Sequence, residues 1–416
     1  MRIEILCTGD EILTGKTVNT NHSHIAQRLV EVGLGLQWVT TVGDDRDSLL
    51  PAFRQAAERA DAVIVNGGLG PTVDDLSQEV AAQAAGVALV LHEPWLARME
   101  AFYAQRNRAM PANNRKQAML PDGAEFIDNP IGTACGFAVT IGGARFFFTP
   151  GVPREMRRMI DEQVIPRLLA RAGLRGVARL KRFHSFGIGE SRADEMLSSI
   201  PALAQGGPVK LGFQSHYPQL ETKLALRAAD DAEADGLLAP IEAEVRRRLG
   251  HFVLAEDDAT LESVVLDALR TRGGSLAVAE TLTGGGIAAR LAPLPGAEGL
   301  FRRGLVARDP GRLREAAGVE GSAPAAAVAE ALRGQSGASH ALAVLVALDE
   351  GVADSRELGG TIRIGIADGE GTVSREARLL GGREWVRLGA MELGLDCLRR
   401  RLLGLPVDER VDFERR

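Results

Sequence analysis

The sequence predicts an α/β protein of three domains, and three observations lead to that prediction. The chain has 416 residues, against a usual domain size of about 150. Short β-rich runs alternate with helical segments from residue 1 to about 170, and several of these runs end at glycines. Such alternation is typical of a mostly parallel sheet covered by helices on both faces. We therefore expect domains over residues 1–172, 177–255 and 258–416.

The first predicted domain alternates strands with helices. Its strands are expected over residues 3–7, 36–42, 61–66 and 144–149, and its helices over 22–33, 47–59, 76–85, 93–106 and 153–172. The apolar run DAVIVNGG, which ends in glycines, indicates a buried parallel strand. The glycine- and arginine-rich stretch RAGLRG at 171–176 breaks the pattern and predicts a linker.

A smaller domain and then a third domain are predicted after the linker. The second has the order βαββαβ, with strands at 178–186, 209–216, 219–227 and 251–255 and helices at 189–200 and 231–249. The third begins with a helix at 260–274, continues with strands at 275–280, 300–307, 340–348 and 361–367, and ends with a helix at 383–403. The segment 309–339 is rich in Ala, Gly and Arg and gives no clear pattern.

Composition and charge narrow the class of protein. With 49 Lys plus Arg and 55 Asp plus Glu, the formal net charge is −6, which repels nucleic acid and anionic membranes. No run approaches the roughly 18 apolar residues of a membrane span, and MRIEILCTGDEIL lacks the features of a signal peptide, so a cytoplasmic protein is expected. Cys7, Cys135 and Cys397 are far apart, without a CxxC or Cys/His cluster, so neither a disulfide framework nor a structural zinc site is predicted.

The most informative motif joins a strand to a helix through three glycines. After Val63 the chain runs through Gly67, Gly68, Leu69, Gly70, Pro71, Thr72, Val73, Asp74 and Asp75. Glycines let the backbone present N–H groups to a ligand, and a helix N-terminus adds positive potential, so phosphate is the expected ligand. Asp74 and Asp75 are oxygen donors suited to a divalent cation that bridges to phosphate. In the structural alternative, Thr72 or Asp74 only caps the helix and the glycines only form a turn.

A second loop follows the first strand and contains Thr8, Gly9, Asp10 and Glu11, with NTNHSH at 19–24 beyond it. The ligand crevice of an α/β sheet lies beyond the carboxyl ends of its strands, so this loop and the glycine loop are expected to converge. Asp10, Glu11 and Asn19 are then placed to reach a metal, a phosphate or a sugar. The structural alternative is that Asp10 forms a turn and that Asn21 or Ser23 caps the next helix.

Three further strings complete the predicted pocket. They are Asn114, Arg115, Lys116 and Gln117; the turn of Asn129, Pro130, Gly132, Thr133 and Ala134; and TPGVPREM at 149–156. Each string alone is typical of a turn or of a solvated helix face. Together with the paired acids they favour a phosphate-bearing ligand. The sequence has neither G-x-G-x-x-G after its first strand nor a P-loop motif, which weakens dehydrogenase and NTPase interpretations.

As a set, these strings resemble the N-terminal domain of the competence/damage-inducible CinA family. GDEILTGKTVNTN, GGLGPTVDD, MPANNRKQA, NPIGTACGF and TPGVPREM occur in this order across residues 1–170. The resemblance implies a three-layer MoaB/MogA-like molybdopterin-binding fold and a metal-dependent hydrolase that cleaves ADP-ribose to AMP and ribose 5-phosphate. Cys135 departs from the family, which usually has proline there. FGIGES at 186–191 resembles the start of the family's KH-like middle domain.

The resemblance and the residue chemistry together give a hypothesis for the site. Asp74, Asp75 and Asp10 are expected to be catalytic and to hold a divalent Co, Mn or Mg ion. The expected phosphate and substrate contacts are Gly67, Gly68, Gly70, Thr72, Asn19, Lys116, Asn129, Gly132 and Thr133. The expected substrate is a nucleotide, and the resemblance implies a homodimer.

The last third resembles the family's nicotinamide mononucleotide deamidase domain but departs from it at its active site. AETLTGGGIAARL places Thr281 where the family has a serine nucleophile. RDPGRL aligns with the family's Tyr-Ser-Asn-x-x-Lys string, so Arg308 replaces the tyrosine and Leu313 the lysine. LVALDEG at 345–351 lacks the family's Thr-Gly-Ile-Ala-Gly-Pro loop. Because a hydroxyl with no base nearby is a weak nucleophile, the domain is expected to fold but to have lost its deamidase activity.

Two other classes of function stay open. A fold does not fix function, so the first domain also suits a module that binds a pterin or nucleotide without turnover. The family's name suggests an interaction protein in DNA uptake or recombination. The arginines at 399–401, next to Leu398 and Leu402, indicate the solvated face of a terminal helix. FGIGES has GxG spacing, not the GXXG of a nucleic-acid-binding KH loop, so no tight nucleic-acid binding is expected.

Overall fold

A computed structural model describes residues 1–204, 206–349 and 358–414, and it confirms the α/β class. The chain divides into two compact units. One is Met1–Arg179 with Arg227–Ala234, and the other is Leu180–Leu226 with Asp235–Arg416. The division into three domains stays a prediction. Within the described ranges, no helix combines the length and the apolar character that crossing a membrane requires.

The first unit is organised around a six-stranded sheet in the order β2-β1-β3-β8-β7-β6, with a separate β4-β5 pair. The strands are β1 (Ile3–Thr8), β2 (Leu36–Val42), β3 (Ala62–Asn66), β4 (Leu89–Leu91), β5 (Met119–Pro121), β6 (Glu125–Ile127), β7 (Gly136–Ile141) and β8 (Ala144–Thr149). β2, β1, β3 and β8 are parallel, and β7 and β6 continue the sheet antiparallel. The predicted mostly parallel sheet is therefore confirmed.

Helices cover both faces of this sheet. They are α1 (Asp10–Leu13), α2 (Thr20–Glu31), α3 (Arg46–Arg59), α4 (Ser77–Ala85), α5 (Glu93–Ala104), α6 (Pro153–Met159) and α7 (Ile165–Arg171), with a 3₁₀ helix at Ala112–Ala118 and a π-helical turn at Ile160–Val164. Ile3 and Ile5 of β1 belong to the core shared with α2, α6 and α7. Leu6 belongs to the opposite core, shared with α3, α4 and α5. Because strand side chains alternate between faces, one strand serves both cores.

Two further sheets, in the orders β10-β11-β9-β12 and β14-β13-β15-β16-β17, lie mostly in the second unit. The strands are β9 (Val177–Phe186), β10 (Lys210–His216), β11 (Gln219–Ala228), β12 (Val253–Glu256), β13 (Leu276–Thr281), β14 (Phe301–Ala307), β15 (His340–Leu348), β16 (Gly359–Asp368) and β17 (Gly371–Leu380). The helices are α8 (Glu190–Leu197), α9 (Asp231–Leu249), α10 (Leu261–Thr271), α11 (Gly286–Leu291), α12 (Pro310–Ala316), α13 (Ala325–Ser336) and α14 (Arg383–Leu403), with 3₁₀ turns at Pro201–Leu203 and Gly250–Phe252. The predicted βαββαβ order is confirmed by β9-α8-β10-β11-α9-β12.

Several elements have no clear signal in the sequence. The strands β4, β5 and β6 have three residues each, which is too short to display an alternating pattern. β17 exposes Ser374 and Glu376 to solvent, so it lacks the apolar run of a buried strand. The helices α12 and α13 lie in the Ala-rich segment 309–339, where small residues give little amphipathic contrast.

The prediction that the arginines at 399–401 form a solvated helix face is wrong for two of them. The side chains of Arg399 and Arg400 are 4% and 0% exposed, and both pair with the fully buried carboxylate of Asp396. Both also donate to the backbone oxygen of His251, and Arg400 pairs with Glu409. The acidic partner one turn earlier on α14 makes their burial possible, because buried charges persist only when they are paired.

All three cysteines are buried and free. Burial raises the pKa of Cys135 and of Cys397 to about 12, and it also raises the pKa of Cys7. These thiols belong to the hydrophobic cores of the two units.

Candidate functional site

A cavity of about 570 Å³ lies at the carboxyl ends of the parallel strands of the first unit. The loops after β1, β2, β3 and β8 form its wall, which is where the crevice of an α/β sheet is expected. Of the predicted site residues, the wall includes Asn19, Gly67, Gly68, Gly70, Asp74, Asp75 and Thr133. The predicted residues Asp10, Thr72, Lys116, Asn129 and Gly132 are not among its lining residues.

The glycine loop after β3 has a backbone that only glycine adopts without strain. Gly67 and Gly68 have φ values of 113° and 67°. A Cβ on Gly67 would lie 2.6 Å from Thr8 Oγ1, and a Cβ on Gly68 would collide with Ser77 Oγ. The loop is therefore packed between the end of β1 and the start of α4, and its backbone lines the cavity without side chains in the way.

Two buried oxygens in the cavity wall have no hydrogen-bond partner within the described residues: Thr8 Oγ1 and Asn21 Oδ1. Thr8 is 4% exposed and Asn21 is 9% exposed. The amide nitrogen of Asn21 donates to Asn66 Oδ1 at 2.9 Å and to Gly151 O at 2.7 Å, so the side chain is oriented. An unsatisfied buried polar atom costs about 1–3 kcal/mol, and a bound polar ligand or water would remove that cost.

Four acidic side chains line the cavity on the loops that follow β1, β2 and β3. Glu11 follows β1, Asp44 follows β2, and Asp74 and Asp75 follow β3. Burial raises the pKa of Asp44, and the negative charges of Asp10, Glu11 and Asp74 raise it further. The carboxylates are therefore close enough to repel one another, and a bound cation would relieve that repulsion.

Among the residues that the structure describes, no three His, Cys, Asp or Glu side chains converge to hold a metal ion. The predicted centre of Asp10, Asp74 and Asp75 is thus not assembled by protein ligands alone. Asp10 instead bonds to the Asp44 loop: its N–H donates to Asp44 Oδ2 at 3.0 Å, and its Oδ1 accepts from Asp44 N at 3.3 Å. The lining acids suit a cation such as Mg²⁺, which takes one or two carboxylates and completes its shell with water and phosphate oxygens.

Asp75 and Lys116 brace the loop that carries these acids. Asp75 Oδ2 accepts from Thr72 N at 2.8 Å and also from the Thr72 hydroxyl. Lys116 Nζ donates to Thr72 O at 3.0 Å and lies 3.8 Å from Glu79 Oε1. Lys116 therefore contacts the loop in this structure, and its phosphate contact stays a prediction.

The N-caps of helices α4 and α2 are not the residues that the structural alternatives predicted. Helix α4 has Leu76 as its N-cap and no side-chain cap, so Thr72 and Asp74 do not cap it. Thr72 instead lies close enough to Asp74 to lower the pKa of its carboxyl. Helix α2 is capped by Asn19, whose side chain accepts from His22 N at 3.1 Å, and not by Asn21 or Ser23. Asn19 is therefore both a helix cap and a lining residue.

Asn129 orders the turn that brings Thr133 to the cavity. It is fully buried, its Oδ1 accepts from Gly132 N at 3.1 Å, and its Nδ2 donates to Ala134 O at 2.8 Å. Gly132 borders a different, smaller pocket that contains Trp95. Asn129 and Gly132 thus order this turn, and their contacts with a substrate stay a prediction.

Sequence analysis missed two lining residues for which a signal existed. Asp44 follows β2 as Asp10 follows β1, so the crevice rule applies to both loops. Asn66 is the polar last residue of the otherwise apolar strand β3, and it donates to Pro150 O at 2.8 Å. A polar residue at, or just after, the carboxyl end of a parallel strand is the signal that both share.

The three predicted deamidase positions in the second unit do not form a polar site. Thr281 is buried at the end of β13, and its Oγ1 accepts from Val346 N at 2.8 Å. Leu313 is a fully buried core residue, and Arg308 is exposed. The carboxylate of Glu280, next to Thr281, accepts hydrogen bonds from backbone N–H groups of α11. The end of the string LVALDEG, from Glu350 onwards, lies outside the described residues.

Comparison with known proteins matches nearly the whole chain. Three family models match: a probable molybdopterin binding domain over residues 4–170, the damage-inducible protein CinA KH domain over 180–255, and the CinA C-terminal domain over 258–402. A CinA-like protein of Shewanella woodyi is 40% identical over 419 residues, which is 98% of this chain and 97% of that protein. A CinA-like protein of Geotalea uraniireducens is 37% identical over 424 residues, 99% of this chain and 100% of that protein. A crystal structure of a CinA protein from Thermoplasma acidophilum is 35% identical, covers 40% of this chain and 98% of that chain, and has a TM-score of 0.37.

Proposed function

The chain belongs to the CinA family, and from that premise we propose that its first unit is a metal-dependent hydrolase that cleaves the pyrophosphate of ADP-ribose to AMP and ribose 5-phosphate. The first unit has the fold of the MoaB/MogA-like molybdopterin-binding domains. A KH-like domain and a CinA C-terminal domain follow it along the chain. The observation that carries the proposal is the cavity itself. It combines a glycine loop, grouped carboxylates, and the unpartnered oxygens of Thr8 and Asn21.

Each part of the cavity has a proposed task. The backbone N–H groups of Gly68, Leu69 and Gly70 bind phosphate oxygens. Asp74 and Asp75 would hold the divalent cation, and water and phosphate oxygens would complete its shell. When bound, such a cation neutralises pyrophosphate charge and lowers the pKa of an attacking water. Thr8 and Asn21 hydrogen-bond the polar groups of the nucleotide.

Product analysis tests this proposal. The full-length chain is incubated with ADP-ribose and Co²⁺, Mn²⁺ or Mg²⁺, and the products are separated by chromatography. AMP and ribose 5-phosphate are expected in equal amounts, and only in samples that contain a metal ion. The absence of AMP with every metal would overturn the hydrolase proposal.

A second candidate is a module that binds a pterin or nucleotide without turnover. It is favoured by one observation, that the described residues supply no three-ligand metal centre of their own. Calorimetry that detects binding of ADP-ribose, combined with chromatography that detects no AMP, selects this candidate over the hydrolase.

We also propose that the second unit does not deamidate nicotinamide mononucleotide. Thr281 has a β-methyl group and a hydroxyl bonded to the backbone of β15, Arg308 has a guanidinium group in place of a phenol, and Leu313 offers no acid or base. No ammonia release above background is expected from the full-length chain, and none is gained by Thr281→Ser, because the missing lysine is not restored. Ammonia release by the wild-type chain that Thr281→Ala abolishes would contradict this prediction.

The proposed partners are the nucleotide substrate and a second copy of the chain. Tight nucleic-acid binding is not proposed, because Arg399 and Arg400 are engaged in buried pairs with Asp396 and the net charge is −6.

A further inference from the structure

Glu155 lies in the cavity wall, at the opposite end of the row of parallel strands from Asp44. Glu155 is in the first turn of α6, after β8, whereas Asp44 follows β2. In the order β2-β1-β3-β8, these two strands are three strand spacings apart, or roughly 14 Å at about 4.8 Å each. The glycine loop follows β3, between them. A ligand whose phosphates lie on the glycine loop therefore has the grouped acids on one side and Glu155 on the other.

The carboxylate of Glu155 is held in place by one neighbour. Asn129 Nδ2 donates to Glu155 Oε2 at 2.7 Å. Asn129 is fully buried and is fixed by its bonds to the backbone at Gly132 and Ala134. Across the described ranges, no Lys, Arg or His pairs with Glu155, and Oε1 has no hydrogen-bond partner. The side chain is thus an oriented, half-buried acceptor with capacity left for a ligand.

The chemistry of such a group indicates what it binds. An ionised carboxylate only accepts hydrogen bonds, and it repels phosphate. Two neighbouring sugar hydroxyls supply the donors that it needs, and carboxylates bind ribose hydroxyls in this way in dinucleotide-binding folds. We propose that Glu155 accepts hydrogen bonds from the vicinal hydroxyls of a ribose, and so selects nucleoside-diphosphate sugars with an intact ribose diol. This inference rests on the proposed function of the cavity.

Equilibrium binding with the full-length chain tests the role of Glu155. Calorimetric titrations without a metal ion, so that ADP-ribose is not hydrolysed, compare ADP-ribose with two analogues, each lacking the 2-hydroxyl of one of its two riboses. The wild-type chain is expected to bind one of these analogues about tenfold to a hundredfold more weakly than ADP-ribose. Glu155→Gln keeps the size of the side chain and an acceptor for Asn129 but removes its charge. It is expected to weaken ADP-ribose binding to a similar degree and to abolish the preference for the diol.

Glu162→Gln is the matched control. Glu162 is an exposed carboxylate in the turn after α6 and pairs with Arg158, and it does not line the cavity. Its replacement is expected to leave both the affinity for ADP-ribose and the preference for the diol unchanged.

The outcomes separate this inference from the proposed function. If the wild-type chain binds ADP-ribose and both analogues equally, the role of Glu155 is overturned while the proposed function stands, and this comparison needs no variant. If the wild-type chain does not bind ADP-ribose, both are overturned. If Glu155→Gln lowers kcat but keeps the preference for the diol, Glu155 acts on the reaction and not on the sugar, and the inference is again overturned.

Discussion

Replacement of Asp75 by asparagine is expected to lower the rate of ADP-ribose hydrolysis about a hundredfold or more while the melting temperature changes by less than about 3 °C. The asparagine oxygen still accepts from Thr72 N, so the loop stays ordered. The substitution therefore removes only the negative charge that the cation requires. Steady-state kinetics with Mn²⁺ and a thermal melt of the same preparation measure the two effects.

Two further variants make the Asp75 experiment specific. Asp75→Ala also removes the bonds to Thr72, so it is expected to lower the melting temperature as well as the rate. Asp47→Asn changes a carboxylate in the first turn of α3, outside the cavity wall, and is expected to have the activity of the wild-type chain. Near-normal turnover by Asp75→Asn would show that this carboxylate does not hold the cation.

Asp396→Ala is expected to reduce the free energy of unfolding of the second unit by about 3–5 kcal/mol. The substitution leaves the guanidinium groups of Arg399 and Arg400, which are 4% and 0% exposed, without the carboxylate that both share. Glu409 remains beside Arg400, so that charge is only partly compensated. Urea titration followed by circular dichroism measures the change.

The control for Asp396 is a carboxylate in an exposed pair. Asp267 pairs with Arg270 on the surface of α10, where the two side chains are 67% and 53% exposed. Solvent screens such pairs, so Asp267→Ala is expected to cost only a small fraction of the stability that Asp396→Ala costs. Equal losses for the two variants would contradict the buried-pair interpretation.

The place of the cavity could be predicted from the sequence, but the task of each polar side chain could not. Glycines and acids directly after apolar strands indicate the crevice because the carboxyl ends of parallel strands share one edge. Lys116 and Asp10 have the right chemistry for phosphate or metal, yet each is bound by a loop distant in sequence, at Thr72 and at Asp44. Such partners depend on the tertiary fold, which local pattern does not report.

The same limit explains the fold predictions that failed. A run of arginines is normally solvated, and the burial of Arg400 depends on Glu409 and His251 as well as on the nearby Asp396. The long helices and apolar strands were predictable because their hydrophobic period extends over many residues. The three-residue strands and the Ala-rich helix α13 contain too little of that period.

The buried cysteines give each unit its own reporter of transient opening. Thiol reagents attack the thiolate, and with a pKa of about 12 for Cys135 and Cys397 the folded chain offers almost none at neutral pH. Labelling therefore proceeds through molecules in which the surrounding core has opened. Because Cys7 and Cys135 belong to the first unit and Cys397 to the second, mass spectrometry of labelled peptides yields two separate opening free energies from the unaltered sequence.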